Sequence, residues 1–203
     1  MRHLLGGDAL GKVNKKLQKL RQIRRRRPQK ARRPMGRRVE VFRNGYLCPM
    51  EFVLLCTAKT DDKEIKTLCE QYEKRLKHYT RFRLEEIPTP KIQDPKKLTE
   101  KEGELILEKV QTTDLFFLLD ENGKEMNSEG FSEFVQKQMN SGGKRCFFVI
   151  GGPFGFSEPV KKRADGKLSL SKMTFTHQMV RLFFTEQLYR AFTILRNEPY
   201  HHR

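Results

Sequence analysis

Two pentapeptides, Leu115–Leu119 (LFFLL) and Cys146–Ile150 (CFFVI), restrict what this chain can become more than any other feature. Each is apolar at every position, whereas a strand wet on one face alternates apolar and polar residues. Both faces must therefore be covered, which is the situation of a parallel strand inside a layered α/β domain. A third run, Glu51–Ala58 (EFVLLCTA), has the same character and is followed by Asp61-Asp62, a helix-start signal. Ile65, Leu68, Cys69, Tyr72, Leu76 and Tyr79 then share a helical face.

The remaining elements alternate in the same way. Arg81–Ile87 reads as a short strand stopped by Pro88 and Pro90. Thr99, with Glu102 three positions on, has capping-box spacing and predicts a helix start. Asp120-Glu121-Asn122-Gly123 reads as a turn in which glycine supplies the backbone angle. Ser128 opens a helix closed by Ser141-Gly142-Gly143; a short helix begins at Glu158, a strand covers 167–171, and a long helix covers 177–195. That last helix is apolar on more than one face, through Met179, Val180, Leu182, Phe183, Phe184, Leu188 and Phe192. Such a helix is buried on several sides, as at a subunit interface.

Charge divides the chain in two. The net charge is +17, but residues 1–45 hold sixteen Lys and Arg against only Asp8 and Glu40, a balance of +14, so the rest carries +3. Residues 1–49 are thus a basic extension, partly helical between Leu10 and Ile23 and otherwise too repulsive to pack. Its readings are an RNA-attaching arm, an Arg-rich transit peptide that lacks serine, or a stretch preceding a true start at Met50. Residues 50–203 read as one complete domain. No apolar run is long enough to span a membrane, and a cytoplasmic location is expected. The four cysteines form no C-x-x-C pair and are expected to be small buried thiols. The five histidines have no metal-ligand spacing, so no metal is expected. His177, at the start of the last helix, reads as a capping or loop-fixing residue.

Ligands in parallel sheets sit beyond the carboxyl ends of strands, which directs attention to the ends of LFFLL and CFFVI. The Gly151-Gly152-Pro153-Phe154-Gly155 segment fits neither the dinucleotide fingerprint nor the P-loop. Its glycines serve either a tight turn or a close approach of backbone to ligand.

The segments LDENG, VIGGPFGFS, LSLSKMTFTHQMVR and EQLYRAFTILRNEPYHHR closely resemble the RlmH family of SPOUT methyltransferases, over essentially all of residues 50–203. The resemblance implies an α/β domain with a mainly parallel sheet, helices on both faces and a C-terminal trefoil knot, acting as a homodimer. It implies S-adenosylmethionine-dependent methylation of N3 of a pseudouridine in helix 69 of 23S rRNA on assembled 70S ribosomes. By that resemblance the cofactor is held by Leu119, Gly151, Gly152, Leu170, Ser171, Lys172, Met173, Thr174 and Phe175. Candidates for handling the imide proton and its anion are Glu186, Arg190, Tyr200 and His201. Tyr200 is assigned to base stacking or binding, His201 to proton transfer or orientation, and Arg190 to anion stabilisation. Glu186 and Arg190, four apart, also fit a plain surface ion pair worth about 0.3–0.5 kcal/mol. The competing functions are a ribosome-binding factor without catalysis and a knotted methyltransferase for another RNA, such as tRNA.

Overall fold

The computed structural model describes residues 48–201. The expectations for the basic extension concern residues outside that range, except Cys48 and Pro49, which already belong to the first strand.

Five parallel strands form one sheet in the order β2-β1-β4-β3-β5: β1 (Cys48–Thr57), β2 (Thr80–Ile87), β3 (Leu115–Glu125), β4 (Arg145–Ile150) and β5 (Gly166–Ser169). The helices are α1 (Lys63–Leu76), α2 (Pro95–Lys109), α3 (Ser128–Met139), α4 (Glu158–Arg163) and α5 (His177–Leu195). The apolar runs are covered on both faces, as their composition requires. Phe52, Leu54, Cys56, Phe117, Phe148 and Ile150 pack with side chains of α1, α3 and α5. The alternate residues Val53, Leu55, Phe116, Leu118, Phe147 and Val149 pack with Ile106, Val110 and Val160 on the α2 and α4 side. The period of two places successive side chains on opposite faces.

α5 lies between α1 and α3 and carries the largest apolar load, with Phe184, Leu188 and Phe192 fully buried. Phe148 sits against Phe184 with ring centroids 4.6 Å apart. Leu182 and Phe183 are only half-buried, so part of the helix's apolar surface is left for another partner. Cys56, Cys69 and Cys146 are buried free thiols, as expected. Burial pushes Cys56 up to about 12 and Cys69 up to about 11.

Several boundaries differ from the sequence reading. The α2 cap is Asp94, whose Oδ1 accepts from the Lys97 amide at 2.8 Å; Thr99 lies inside the helix and donates to the Pro95 carbonyl. Proline suits the first helical turn, and Asp94-Pro95 is the stronger start signal. Glu102 is therefore no capping residue; it is buried. Leu68, placed on the inner face of α1, is 39% exposed. β5 ends at Ser169, so Leu170 and Ser171 already belong to the following loop. The α5 cap is Thr176 rather than His177.

The largest difference is at Asp120–Gly123, which does not end β3 but interrupts it. Leu119 and Lys124 both pair with Leu168, so the intervening residues loop out of the strand before pairing resumes. Asp120 Oδ1 accepts from the Asn122 amide at 2.8 Å and closes the loop. Gly123 is required for proximity rather than for a left-handed backbone: a Cβ there would lie 2.5 Å from the Leu168 carbonyl carbon. We expect Gly123→Ala to force β3 and β5 apart and to lower stability by about 3 kcal/mol, the upper range for overpacking. Urea unfolding measures this, and an unchanged midpoint would refute the close-approach account.

Candidate functional site

The carboxyl ends of β3, β4 and β5 emerge side by side, and the loops leaving them enclose a cleft of about 450 Å³. Its wall is formed by residues 119–122, 150–153, 155–156 and 170–171 with 173–175, together with Leu168, His177 and Val180. Of the nine cofactor candidates, Leu119, Gly151, Gly152, Leu170, Ser171, Met173, Thr174 and Phe175 line it. Lys172 does not: it is exposed, and its Nζ donates to the Glu121 carbonyl at 3.3 Å. Met173 stands at the lip with 72% of its surface exposed.

Each loop is fixed by its own chemistry. Gly152–Gly155 is a tight turn, with the Gly155 amide donating to the Gly152 carbonyl at 3.0 Å. Gly155 has φ 77°, a conformation that favours glycine. A Cβ at Gly151 would lie 2.9 Å from the Phe156 ring, so backbone itself forms this part of the wall. In the third loop, Ser169 Oγ donates to the Ser171 carbonyl at 2.9 Å, and Ser171 Oγ accepts from the Met173 amide at 2.9 Å. Thr174 Oγ1 donates to Glu121 Oε2 at 3.2 Å and ties the third loop to the first.

The electrostatics follow from these contacts. Burial would raise the Asp120 carboxyl, but the Asn122 amide and Lys167 Nζ, 3.0 Å away, outweigh it and hold the group below its usual range. The first loop is thus anionic at neutral pH. His177, which also lines the cleft, is lowered by partial desolvation and then by the Arg181 guanidinium.

Arg181, in the first turns of α5, anchors the neighbouring strand end. It is fully buried; its guanidinium donates to the Thr57 and Ala58 carbonyls at 3.2 and 3.0 Å and to Thr60 Oγ1 at 2.5 Å, and lies 3.7 Å from Glu86. Ala58 sits there with φ 71°, unusual for a residue with a side chain. Sequence reasoning passed over Arg181, Asp120, Asn122 and Phe156. Asp120 and Asn122 had a usable signal, since they follow directly on a buried strand; Arg181 had none, because an arginine amid apolar helix residues looks like a surface group.

Glu186, Arg190 and Tyr200 are brought together with one another, His201 follows Tyr200 in the chain, and none of the four lines the cleft. Tyr200 OH donates to Glu186 Oε1 at 3.0 Å, and Arg190 pairs with the same carboxylate. The Arg190 guanidinium lies 4.7 Å from the Tyr200 ring centroid, and Tyr189 packs edge-on against that ring at 4.8 Å. Tyr200 thus packs among Tyr72, Glu186, Tyr189 and Arg190, and Glu186–Arg190 is part of that cluster rather than a lone surface pair. Burial, then the Tyr72 and Glu186 contacts, raise the Tyr200 hydroxyl, so it remains a donor. Among the described residues, His201 Nδ1 has no hydrogen-bond partner, and it is buried. At a rise of 1.5 Å per residue, Arg190 lies about 15 Å along α5 from Val180, at the end remote from the cleft.

Residues 50–201 match the profile of a family described as "Predicted SPOUT methyltransferase". The chain is 62% identical over 157 residues to a "Ribosomal RNA large subunit methyltransferase H" from Christiangramia forsetii, covering 76% of this chain and 100% of that protein. Its similarity to proteins of the same name is 60% over 159 residues in Flavobacterium johnsoniae and 50% over 155 residues in Cytophaga hutchinsonii, covering 76% and 75% of this chain and all of each relative. Among the described residues no helix is long and apolar enough to cross a membrane.

Removing the guanidinium at Arg181 leaves the Thr57 and Ala58 carbonyls without their donor. We expect Arg181→Ala to cost about 3 kcal/mol or more, in the range for breaking a buried charged network. Thermal and urea unfolding are the measurements, and a loss below about 1 kcal/mol, the range of an exposed pair, would refute the anchoring role.

Proposed function

The chain belongs to the SPOUT methyltransferase family, and from that premise we propose that it methylates large-subunit ribosomal RNA, using S-adenosylmethionine to modify N3 of a pseudouridine in helix 69 of 23S rRNA. It acts in the cytoplasm, on assembled 70S ribosomes, as a homodimer. The observation that carries this reading is the convergence of three strand-end loops on one backbone-walled cleft.

The cleft fits the methyl donor. Gly151 and Gly152 offer main chain without side chains, Leu119 and Leu170 supply apolar surface, and Asp120 and Glu121 place negative charge beside a cationic ligand. The donor supplies a methyl group already activated on a sulfonium, so the protein's work is to align a nucleophile with it. Ser171 fixes the third loop internally and Thr174 holds that loop against the first, which sets the cleft's width. A trefoil knot in the final segment belongs to the same proposal and is favoured by the interlocking of residues 119–125 with Leu168 and of Glu121 with Thr174.

The imide proton of the pseudouridine must leave before or during transfer. Tyr200 is held as a phenol and orients the base, Arg190 stabilises the developing anion, and His201 receives the proton in this scheme. Because Arg190 lies about 15 Å along α5 from its own cleft and Tyr200 is fastened beside it, the tail serves the cleft of the partner subunit in this scheme. The half-buried Leu182 and Phe183 and the exposed Leu68 provide apolar surface for that partner. Pairing also doubles the charge offered to a ribosomal surface, which a +3 domain alone recognises weakly.

The test is transfer of labelled methyl to 70S ribosomes, isolated large subunits and tRNA side by side. Labelling of N3 on 70S particles alone is expected; labelled tRNA, or no labelled RNA, would overturn the proposal. A second prediction concerns the shared site. Gly151→Val blocks the cleft and His201→Ala removes the tail group, so each alone is expected to lose about 100-fold or more in rate, as for loss of a general base or of reactant alignment. Co-refolded mixtures recover activity through heterodimers with one intact site. Absence of recovery would show that each tail serves its own cleft.

A further inference from the structure

Directly behind the glycine turn lies a carboxyl group with no assigned work. Glu102, in the middle of α2, is 3% exposed. Among the described residues it has no hydrogen-bond or ion-pair partner, and burial alone raises its carboxyl above the usual range. Its two oxygens lie 2.2 and 2.7 Å from where a Cβ on Gly152 would stand. Gly152 has no left-handed backbone to explain its identity, so the approach of Glu102 explains it. The next residue repeats the pattern: a Cβ on Gly103 would lie 2.1 Å from Ser157 Oγ. Consecutive positions of one helix are thus shaped to receive both ends of the 152–157 segment.

A carboxyl held in a nearly buried side chain without a partner among the described residues is partly desolvated, a cost that an apolar side chain of equal volume avoids. Its placement is specific. Gly152 forms the cleft wall, and the direction a side chain would take from it leads to Glu102, which does not itself line the cleft. We infer that Glu102 is a positioning residue: its carboxyl braces Gly152 from behind, so that the Gly151–Gly155 turn presents its backbone to the methyl donor. This inference rests on the cofactor reading given above. The brace acts through shape and polarity rather than through charge, because among the described residues no basic group shifts its carboxyl; glutamine therefore substitutes for it and alanine does not.

The experiment uses the full chain with S-adenosylmethionine and 70S ribosomes. Glu102→Ala is expected to raise the KM for S-adenosylmethionine about tenfold while kcat at saturating cofactor stays within about twofold, the signature of lost ground-state binding. Glu102→Gln is expected to stay within about twofold of the unmodified protein in both parameters. Gly152→Ala alone drives a methyl group into the carboxyl and is expected to raise KM by at least about tenfold; adding Glu102→Ala vacates that space and recovers most of the loss, a coupling that independent sites do not show. An unchanged KM in Glu102→Ala, equal losses in the Gln and Ala variants, or additive effects in the double variant would each overturn the brace. Calorimetric titration of the unmodified protein separates the two levels: failure to bind S-adenosylmethionine at all overturns the cofactor reading and the brace with it, whereas normal binding that is insensitive to Glu102→Ala overturns the brace alone.

Discussion

A peptide group in a sheet covered on both faces has no water to bond, so its partners must come from the adjacent strands. In this protein that condition falls on β1, β4 and β3, whose central residues are sealed above and below. Parallel pairing brings their carboxyl ends to one edge, where β5, paired with β3, adds the third of the strand ends that border the cleft. It cannot be relaxed locally without exposing unpaired amides and carbonyls. The loops that leave those ends are therefore held within reach of one another before any ligand is considered, and the cleft is a consequence of the sheet.

The other constraint is proximity of backbone to backbone and backbone to side chain. Gly123 against Leu168, Gly151 against Phe156 and Gly152 against Glu102 are glycines for the same reason: a Cβ at each would fall within 3.0 Å of an atom already there. At these three positions glycine serves close packing rather than an unusual φ. The loops around the cleft are thus packed as tightly as the core, although they lie at its margin. Rigidity of this kind suits a reaction in which alignment supplies much of the rate.

Much of this was legible in the sequence. The unbroken apolar runs LFFLL and CFFVI required a sheet covered on both faces, and strand-end logic with the family resemblance selected eight residues that line the cleft. What escaped was set by contacts distant in sequence. The spacing of Thr99 and Glu102 looks like a capping box, but Asp94-Pro95 starts the helix one turn earlier and turns Glu102 inward. DENG looks like the end of a strand, yet Leu168 pairs on both sides of it. Arg181 looks like a surface charge until the β1–α1 connection folds over it. No local propensity reports such meetings.

The position of the tail carries the functional argument furthest. α5 has nineteen residues, about 28 Å of helix, with cleft residues at its start and the Glu186–Arg190–Tyr200 cluster toward its end. A rigid helix cannot fold back to bring its own two ends together, and the tail is fastened where it lies by Tyr189, Tyr72 and Glu186. On the proposed reading a second copy supplies another tail without disturbing either attachment. On that reading, then, the helix that separates cleft from tail within one subunit is also the element whose uncovered apolar surface lets a neighbour bring a tail to the cleft.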